Sequence, residues 1–314
     1  MVTGVAGFIG SHLAERLLAD GCSVLGLDCF TDYYDRAVKI RNLGALQGRA
    51  GFELVEADLA RAPLPSLLKG AEAIFHQAGQ PGVRGSWGES FAVYAINNVT
   101  ATQRLLEACM TVPTLRRLVN ASSSSIYGDA ETLPTREDVL PMPVSPYGVT
   151  KLAAEHLCRV YATGFGVPAV SLRYFTVFGP RQRPDMAFTR FCAALLAGES
   201  ITIHGDGAQT RDFTYVDDIV TANLAAATAP AEVVAGQAYN LGGGTRIAVN
   251  DVLELLFKVA GRRTEVRHAD RQAGDARHTA ADTARAARDL GFEPRIGLEE
   301  GLARQLKWAA AMRG

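Results

Sequence analysis

Nothing in this chain of 314 residues has the spacing of a metal site or a disulfide framework. Its five cysteines (Cys22, Cys29, Cys109, Cys158 and Cys192) are scattered, odd in number and never at CxxC spacing. They read as free thiols of a reducing, cytoplasmic setting. The six histidines show no HxH or HxxxH pairing, so no metal is expected. No apolar run approaches the roughly 18 residues of a spanning helix, and the N-terminus lacks the basic and apolar regions of a signal peptide. A net charge of −1 argues against nucleic acid or an anionic membrane as partner. No segment is repeated or of low complexity.

What the chain does have is alternation. It is 48% hydrophobic, enough for a sizeable core. From Met1 to about Ala169 apolar strands alternate with helical patterns, which predicts an α/β fold with a doubly wound parallel sheet. Strands are expected near Met1–Thr3, Cys22–Asp28, Phe52–Leu59, Ala73–Gly79, Arg117–Ala121 and Val170–Phe175. The first is so short that either the true start lies upstream or the strand is clipped. Phe30 to Arg41 reads as a long polar loop, and about Phe91 to Met110 as a helix carrying Asn97 and Asn98. After Phe175 the texture changes. Thr176–Met186 is a Pro- and Arg-rich loop, followed by a helix at Phe188–Ala197 and an edge strand with a turn at Ser200–Gly207. Thr210–Asp218 leads into a helix, and Gly236–Gly244 reads as a strand and turn. Helices are expected at Val249–Ala260 and from Leu298 to about Met312, with a basic loop at Gly274–Arg277. Residues 1–169 are thus expected to form the larger domain, with strand returns from the second half. Residues 170–314 form mainly a smaller, interleaved α/β lobe.

Gly4, Gly7 and Gly10 lie between a strand and a helix, where glycines permit a tight turn and helix-start amides face an anion. Asp28 follows 18 residues after Gly10, near where an acid binds the ribose hydroxyls of NAD and repels the 2′-phosphate of NADP. Arg36, Lys39 and Arg41 argue the other way, since they attract such a phosphate. Asp58 ends the third strand, as an adenine-side contact or a helix N-cap. Tyr147 and Lys151 stand at i and i+4 on one helix face. An ammonium there favours the phenolate and lowers the phenol from about 10, towards the range of a general base, although surface helix pairs share this spacing. Ser122–Ser125 gives a polar strand end at the carboxyl edge of the sheet, where such folds place ligands, or else a serine-rich turn. Arginines on the second-half loops suit phosphate or carboxylate groups, while Arg61, Arg104, Arg262 and Arg263 read as solvated surface.

Taken together, these residues resemble the extended short-chain dehydrogenases acting on nucleotide sugars, in the UDP-sugar 4-epimerase branch. The marks are GxxGxxG at Gly4–Gly10, Asp28, Asp58, the serines before Tyr127-Gly128 and Tyr147-x3-Lys151. To these are added Leu172-Arg-Tyr-Phe-Thr-Val-Phe-Gly-Pro180, Gly205-Asp-Gly207 and Arg211-Asp-Phe-Thr-Tyr-Val-Asp-Asp218. The resemblance implies a Rossmann domain holding NAD. Gly4, Gly7 and Gly10, with Phe8 and Ile9, would hold its pyrophosphate and Asp28 its adenosine ribose. Asp58, Leu59, Gln77, Ala78, Asn98 and Tyr174 would lie near the cofactor, and Lys151 would hold the nicotinamide ribose. Tyr147 would be the base and Ser123 its hydroxyl partner. Ser124 and Ser125 remain open as alternatives, Ser125 more as a substrate contact. Arg211 and Arg277 would grip the diphosphate. A homodimer through residues 91–110 and 147–163 is also implied; the stripe Leu152, Ala153, His156, Leu157 and Val160 suits a dimer or a buried core alike. Two positions depart from the family pattern: Gln77, where alanine is common, and Ala101, where glycine is.

For the sugar, Thr176 stands where glucose epimerases commonly carry Asn. Thr176–Met186, Asp32–Asp35 and Pro81–Arg84 are similar to UDP-glucuronate 4-epimerases. Thr176 and a bidentate Arg183 would then face a C6 carboxylate, with Arg84 also at the substrate; the plainer reading pairs Arg183 with Asp185. The expected activity is 4-epimerisation of UDP-glucuronate to UDP-galacturonate by transient oxidation at C4. Alternatives are the same chemistry on UDP-glucose or a UDP-N-acetylhexosamine, or a lyase, a decarboxylase or 4,6-dehydratase. A lyase would want an acid at Ser124 or Ser125. A non-catalytic NAD-binding module would be expected to have lost the Tyr147/Lys151 pair.

Overall fold

A computed structural model describes residues 1–313. Its principal sheet has seven parallel strands in the order β10-β6-β5-β4-β1-β2-β3. These are β1 (Val2–Thr3), β2 (Val24–Asp28), β3 (Phe52–Glu56), β4 (Ala73–His76), β5 (Arg117–Ser123), β6 (Ala169–Tyr174) and β10 (Ala238–Leu241). The order reverses at β1/β4, the switch point outside whose carboxyl ends doubly wound sheets bind ligands. The central strands β5 and β6 are buried almost throughout. That is why they read as continuous apolar runs rather than alternating ones. β3 lies at an edge and is accordingly charged, with Glu53 and Glu56 exposed.

Helices cover both faces. On one, Phe8–Ala19 and Val216–Thr228 bury Leu13, Ile219 and Val220 against the sheet; on the other, Ala101–Cys109 and Pro146–Phe165 bury Leu105, Leu106, Cys158 and Tyr161. The second half adds two small sheets, in the orders β11-β9-β7 and β12-β8. Their strands are β7 (Thr176–Phe178), β8 (Ile201–His204), β9 (Thr210–Tyr215), β11 (Arg246–Ala248) and β12 (Val266–Ala269).

Several segments differ from the expectation, among them these three. Part of the Phe30–Arg41 loop is helical, over Arg36–Asn42, with the Asp35 carboxylate accepting from the Ala37 amide at 2.8 Å. The buried residues of this helix are Lys39 and Asn42, so it has no apolar period to read. Thr176–Phe178, expected as loop, is a strand because Phe178 is fully buried in an aromatic cluster with Phe188, Phe213 and Tyr215. β12 was not expected either; it pairs with β8 across more than sixty positions of sequence.

Candidate active site

Two adjoining cavities open at the carboxyl edge of the main sheet. The smaller, about 220 Å³, is lined by Gly4, Gly7, Phe8, Ile9, Gly10, Asp28, Asp58, Leu59, Gln77, Ala78, Tyr147, Lys151 and Tyr174. The larger, about 800 Å³, is lined by Arg84, Ser123, Ser124, Ser125, Thr176, Arg183, Arg211 and Arg277. Tyr147, Tyr174, Arg183 and Tyr33 border both. Residues spread from position 4 to position 277 therefore converge as the sequence suggested, with one exception. Asn98 stands a layer behind the smaller cavity, 2% exposed. Its amide holds the Gln80 backbone at both N and O and donates to Thr150 Oγ. It fixes the turn after β4 instead of lining the cleft, from a π-helical stretch at Ala95–Thr100.

The glycine turn fits a dinucleotide. A Cβ on Gly10 would lie 2.2 Å from the Gly4 carbonyl oxygen, and Gly4 has φ +67°. The helix beginning at Phe8 has no side-chain cap, so its first amides are free to meet a pyrophosphate. Asp28 lines the same cavity and accepts from the amides of Ala6 (3.0 Å) and Phe30 (2.8 Å). Each of the three cations that argued for NADP has a partner within the protein, although Lys39 also lines the smaller cavity. Arg36 forks onto Glu56 and lies over the Phe30 ring, Arg41 reaches Met312, and Lys39 donates to Thr31. Asp58 closes a turn through the Ala60 amide, 2.8 Å, and caps no helix, the next one starting at Leu64 after Pro63; it still lines the cleft.

Behind the turn, hydrogen bonds fix a tautomer. The Thr102 hydroxyl donates to the Asn98 carbonyl (2.6 Å), so it accepts from His76 Nε2–H (2.9 Å). His76 Nδ1 then accepts from the Thr3 hydroxyl (2.9 Å), which accepts from the Ala78 amide (3.2 Å). Burial, with the nearby Lys151 charge, pushes His76 down to about 3. The unfolded imidazole titrates near 6.5. Stability from this group is therefore present above about pH 6.5 and lost as pH falls towards 3. At pH 5 the loss is about 2 kcal/mol. Urea unfolding at pH 7.5 and pH 5 is expected to show it, and His76→Gln to lack that share. An identical pH response in the variant would mean that His76 is charged in the fold.

The Pro146–Phe165 helix starts at Ser145, whose hydroxyl accepts from the Gly148 amide at 3.1 Å, with Pro146 in its first turn. Gly148 lets this start press on the serine turn, since a Cβ there would lie 2.5 Å from the Ser125 carbonyl oxygen. Tyr147 is so set against Ser123, whose hydroxyl also accepts from the Ser125 amide at 3.1 Å. The expected effect of Lys151 on Tyr147 is not what this structure shows. Lys151 Nζ donates to the Ala121 carbonyl at 2.8 Å, and burial lowers its own pKa to about 8. Tyr147 is raised above the usual phenol value by burial, while the Ser123 hydroxyl and the Arg183 charge pull it back. The spacing correctly put both groups on one face; packing against β5 turned the ammonium to the strand end.

Further along the same helix, Glu155 accepts from Ser122 Oγ (2.6 Å) and from the fully forked guanidinium of Arg173 (2.6 Å). Arg173 also donates to Tyr127 OH, and Tyr127 to Asn240. Glu155 and Arg173 are both more than nine-tenths buried. This network seats the serine strand end.

Most of the pocket arginines carry a carboxylate: Arg84 with Asp275, Arg277 with Asp206, Arg183 with Asp185. Arg211 forms no ion pair among the described residues; its Nη1 donates to the carbonyls of Thr210 and Arg277, and burial lowers its pKa. It is the arginine best placed to lack an anion. The loop bearing Arg183 is tied to the glycine-turn helix. Arg181, with φ +64°, pairs with Glu15 (2.8 Å) and reaches Ser11, while His12 Nε2–H donates to the Pro180 carbonyl at 2.9 Å. Unexpected lining residues include Tyr33, Arg190 and Thr202. Only Tyr33 carried a signal in sequence, as an aromatic inside a polar loop.

The sequence profile of the NAD dependent epimerase/dehydratase family matches residues 1–242. An uncharacterised UDP-glucose epimerase of Bacillus subtilis is 43% identical over 313 residues, 99% of this chain and 98% of the relative. A UDP-glucuronate 4-epimerase of Thermodesulfobacterium geofontis is 38% identical, over 98% of this chain and 95% of the relative. Among solved structures, the UDP-glucuronic acid 4-epimerase of Bacillus cereus, in complex with UDP-glucuronic acid and NAD, superposes with a TM-score of 0.95. It shares 40% identity, over 99% of this chain and 98% of that one.

Proposed function

Since the chain belongs to the NAD dependent epimerase/dehydratase family, we propose that it epimerises a UDP-sugar at C4, with UDP-glucuronate and UDP-galacturonate as the favoured pair. The observation that carries this reading is Tyr147 at the junction of the two cavities, between Ser123 and Arg183, with no free acid beside it. The carboxylates lining the larger cavity are Asp185 and Asp275, and each is bound to an arginine. A dehydratase or decarboxylase needs proton chemistry at C5 or C6, and this site offers no unpaired acid for it.

NAD, when bound by the glycine turn, Asp28 and Lys151, supplies the redox partner that makes C4 a ketone and restores it. The protein's own part is proton handling and restraint. Tyr147 takes the proton of the 4-hydroxyl and returns it to the same oxygen after the ketone has turned its other face. The Ser123 hydroxyl and Arg183 favour the phenolate in the interval. Arg211 holds the diphosphate, so the ketone can turn over without leaving. Thr176 and Arg183 hold the C6 carboxylate in the ring plane, which keeps the C5–C6 bond out of overlap with the ketone and suppresses loss of CO₂.

The rival reading, UDP-glucose as substrate, draws on the Bacillus subtilis relative and on the Arg183–Asp185 pair. Arg183→Leu separates them. On UDP-glucuronate, loss of a charge-assisted pair of about 1.5–3 kcal/mol is expected to cut kcat/KM about 10- to 100-fold. UDP-glucose turnover, which loses only the Arg183 charge beside Tyr147, should fall by a clearly smaller factor. Equal losses on both sugars would remove Arg183 from carboxylate recognition. Absence of UDP-galacturonate by NMR from wild-type protein and UDP-glucuronate would overturn the substrate itself.

The reading extends to a homodimer, supported by exposed Phe91, Val93, Ile96, Val149 and Val160 on neighbouring helices. A reducing, cytoplasmic location is supported by five cysteines that are all free.

A further inference from the structure

Arg183 meets a carboxylate already, and that carboxylate belongs to the protein. Its Nε and Nη2 donate to the two oxygens of Asp185, both at 2.9 Å, with Pro184 stiffening the link between them. Every hydrogen bond that the Arg183 side chain makes among the described residues goes to Asp185. Asp185 is the outer member, with 39% of its side chain exposed against 21% for Arg183. A second loop holds it in place: Tyr33 OH donates to Asp185 Oδ2 at 3.2 Å, and the Arg183 guanidinium lies 6.0 Å from the centre of the Tyr33 ring.

We propose that Asp185 is a specificity-determining residue of the sugar site: an internal carboxylate that occupies Arg183 and so limits the charge offered to the acid group of a uronate. The inference rests on the reading of Arg183 as the partner of the sugar's C6 group. A guanidinium fork binds one carboxylate bidentately along one edge. An incoming uronate must displace Asp185 from the Nε/Nη2 edge or bind to Nη1 of a pair that is already neutral. In both cases its affinity is reduced by the internal pair. A neutral hexose displaces nothing and leaves Arg183 compensated. Without Asp185, a neutral sugar would enclose an unpaired cation, which is costly. Asp185 thus narrows the gap between acidic and neutral hexoses, and it gives the acidic product a competitor that assists its release. Burial raises the Asp185 pKa, but the hydrogen bonds and charge of Arg183 outweigh it and hold the group below the ordinary carboxylate range, so it competes as an anion throughout the neutral range.

The test is calorimetric binding of UDP-glucuronate and UDP-glucose to the NAD-loaded protein, for wild type, Asp185→Asn, Tyr33→Phe and the double variant Arg183→Leu/Asp185→Asn. Asp185→Asn is expected to tighten UDP-glucuronate about tenfold and to weaken UDP-glucose, which would then enclose an unpaired cation. Tyr33→Phe, which frees Asp185 from its outer hold, should move the acid sugar the same way by a smaller factor and serves if Asp185→Asn does not fold. The double variant should lose the gain. Weaker UDP-glucuronate binding in Asp185→Asn would make Asp185 an orienter of Arg183 and overturn the proposal. So would an equal shift for both sugars. If wild type converts UDP-glucuronate but Asp185→Asn does not tighten it, the inference fails while the substrate reading stands. If only the variant binds UDP-glucuronate, Asp185 is shown to exclude it. If neither binds it, both fall.

Discussion

Tyr147→Phe is expected to lower turnover by about 10²- to 10⁴-fold, the usual share of a positioned acid–base group, while NAD stays bound. The phenol lies in the cleft between Ser123 and Arg183, and its ring stacks edge-on to Tyr94 at 6.3 Å. Phenylalanine keeps that packing and removes only the oxygen. None of the glycine turn, Asp28 or Lys151 depends on it, so cofactor retention, read from the absorbance of the purified protein, should match wild type. The pH profile gives a second reading. Burial holds the phenol above its ordinary pKa in the ligand-free chain, so wild-type kcat/KM should rise with pH until the phenolate forms. A Phe variant with ordinary turnover would sink the assignment of Tyr147 as base.

Glu155→Leu is expected to cost about 3–5 kcal/mol of stability, the penalty for removing one partner of a buried pair. Domains hold only about 5–15 kcal/mol in all, so this change leaves little in reserve. Arg173 would keep Tyr127 OH and the Glu137 carbonyl as acceptors but no counter-charge, and Ser122 Oγ would lose its acceptor. The double change Glu155→Leu/Arg173→Met removes the orphaned cation and should recover most of the loss. Chemical denaturation measures both. A loss under about 1 kcal/mol in the single variant would show that water or another group replaces the carboxylate.

How much was readable before the fold was seen depended on the range of the interaction. The glycine turn, the Asp28 strand end and the capped Tyr147 helix are local, and each signal sat within a short run of the chain. The doubly wound parallel sheet followed from alternation alone. What escaped was set by distant partners. Lys151 was taken as the neighbour that lowers Tyr147, but Ala121, thirty positions away, captures its ammonium. The pairs Arg277–Asp206 and Arg84–Asp275 join groups 71 and 191 positions apart, and no spacing rule reaches so far. Phe178 read as loop because its aromatic partners lie elsewhere in the chain, and the Arg36–Asn42 helix because the residues it buries are polar. Asn98, expected beside the cofactor, stands behind the cavity, where its work is done on the Gln80 backbone.

On the proposed reading of the site, the tie between the Pro180–Arg183 loop and the helix of the glycine turn would link the two ligands thermodynamically. Arg181 reaches Glu15 and Ser11, and His12 holds the Pro180 carbonyl. One helix would therefore carry the proposed pyrophosphate seat at its start and the support of the Arg183 loop from one turn later. A dinucleotide that steadies the helix steadies Arg183. By reciprocity, a sugar that engages Arg183 raises the affinity for the dinucleotide by the same factor. The cofactor is then held most firmly while a ketone is in the pocket, the one interval in which losing it would strand the reaction halfway.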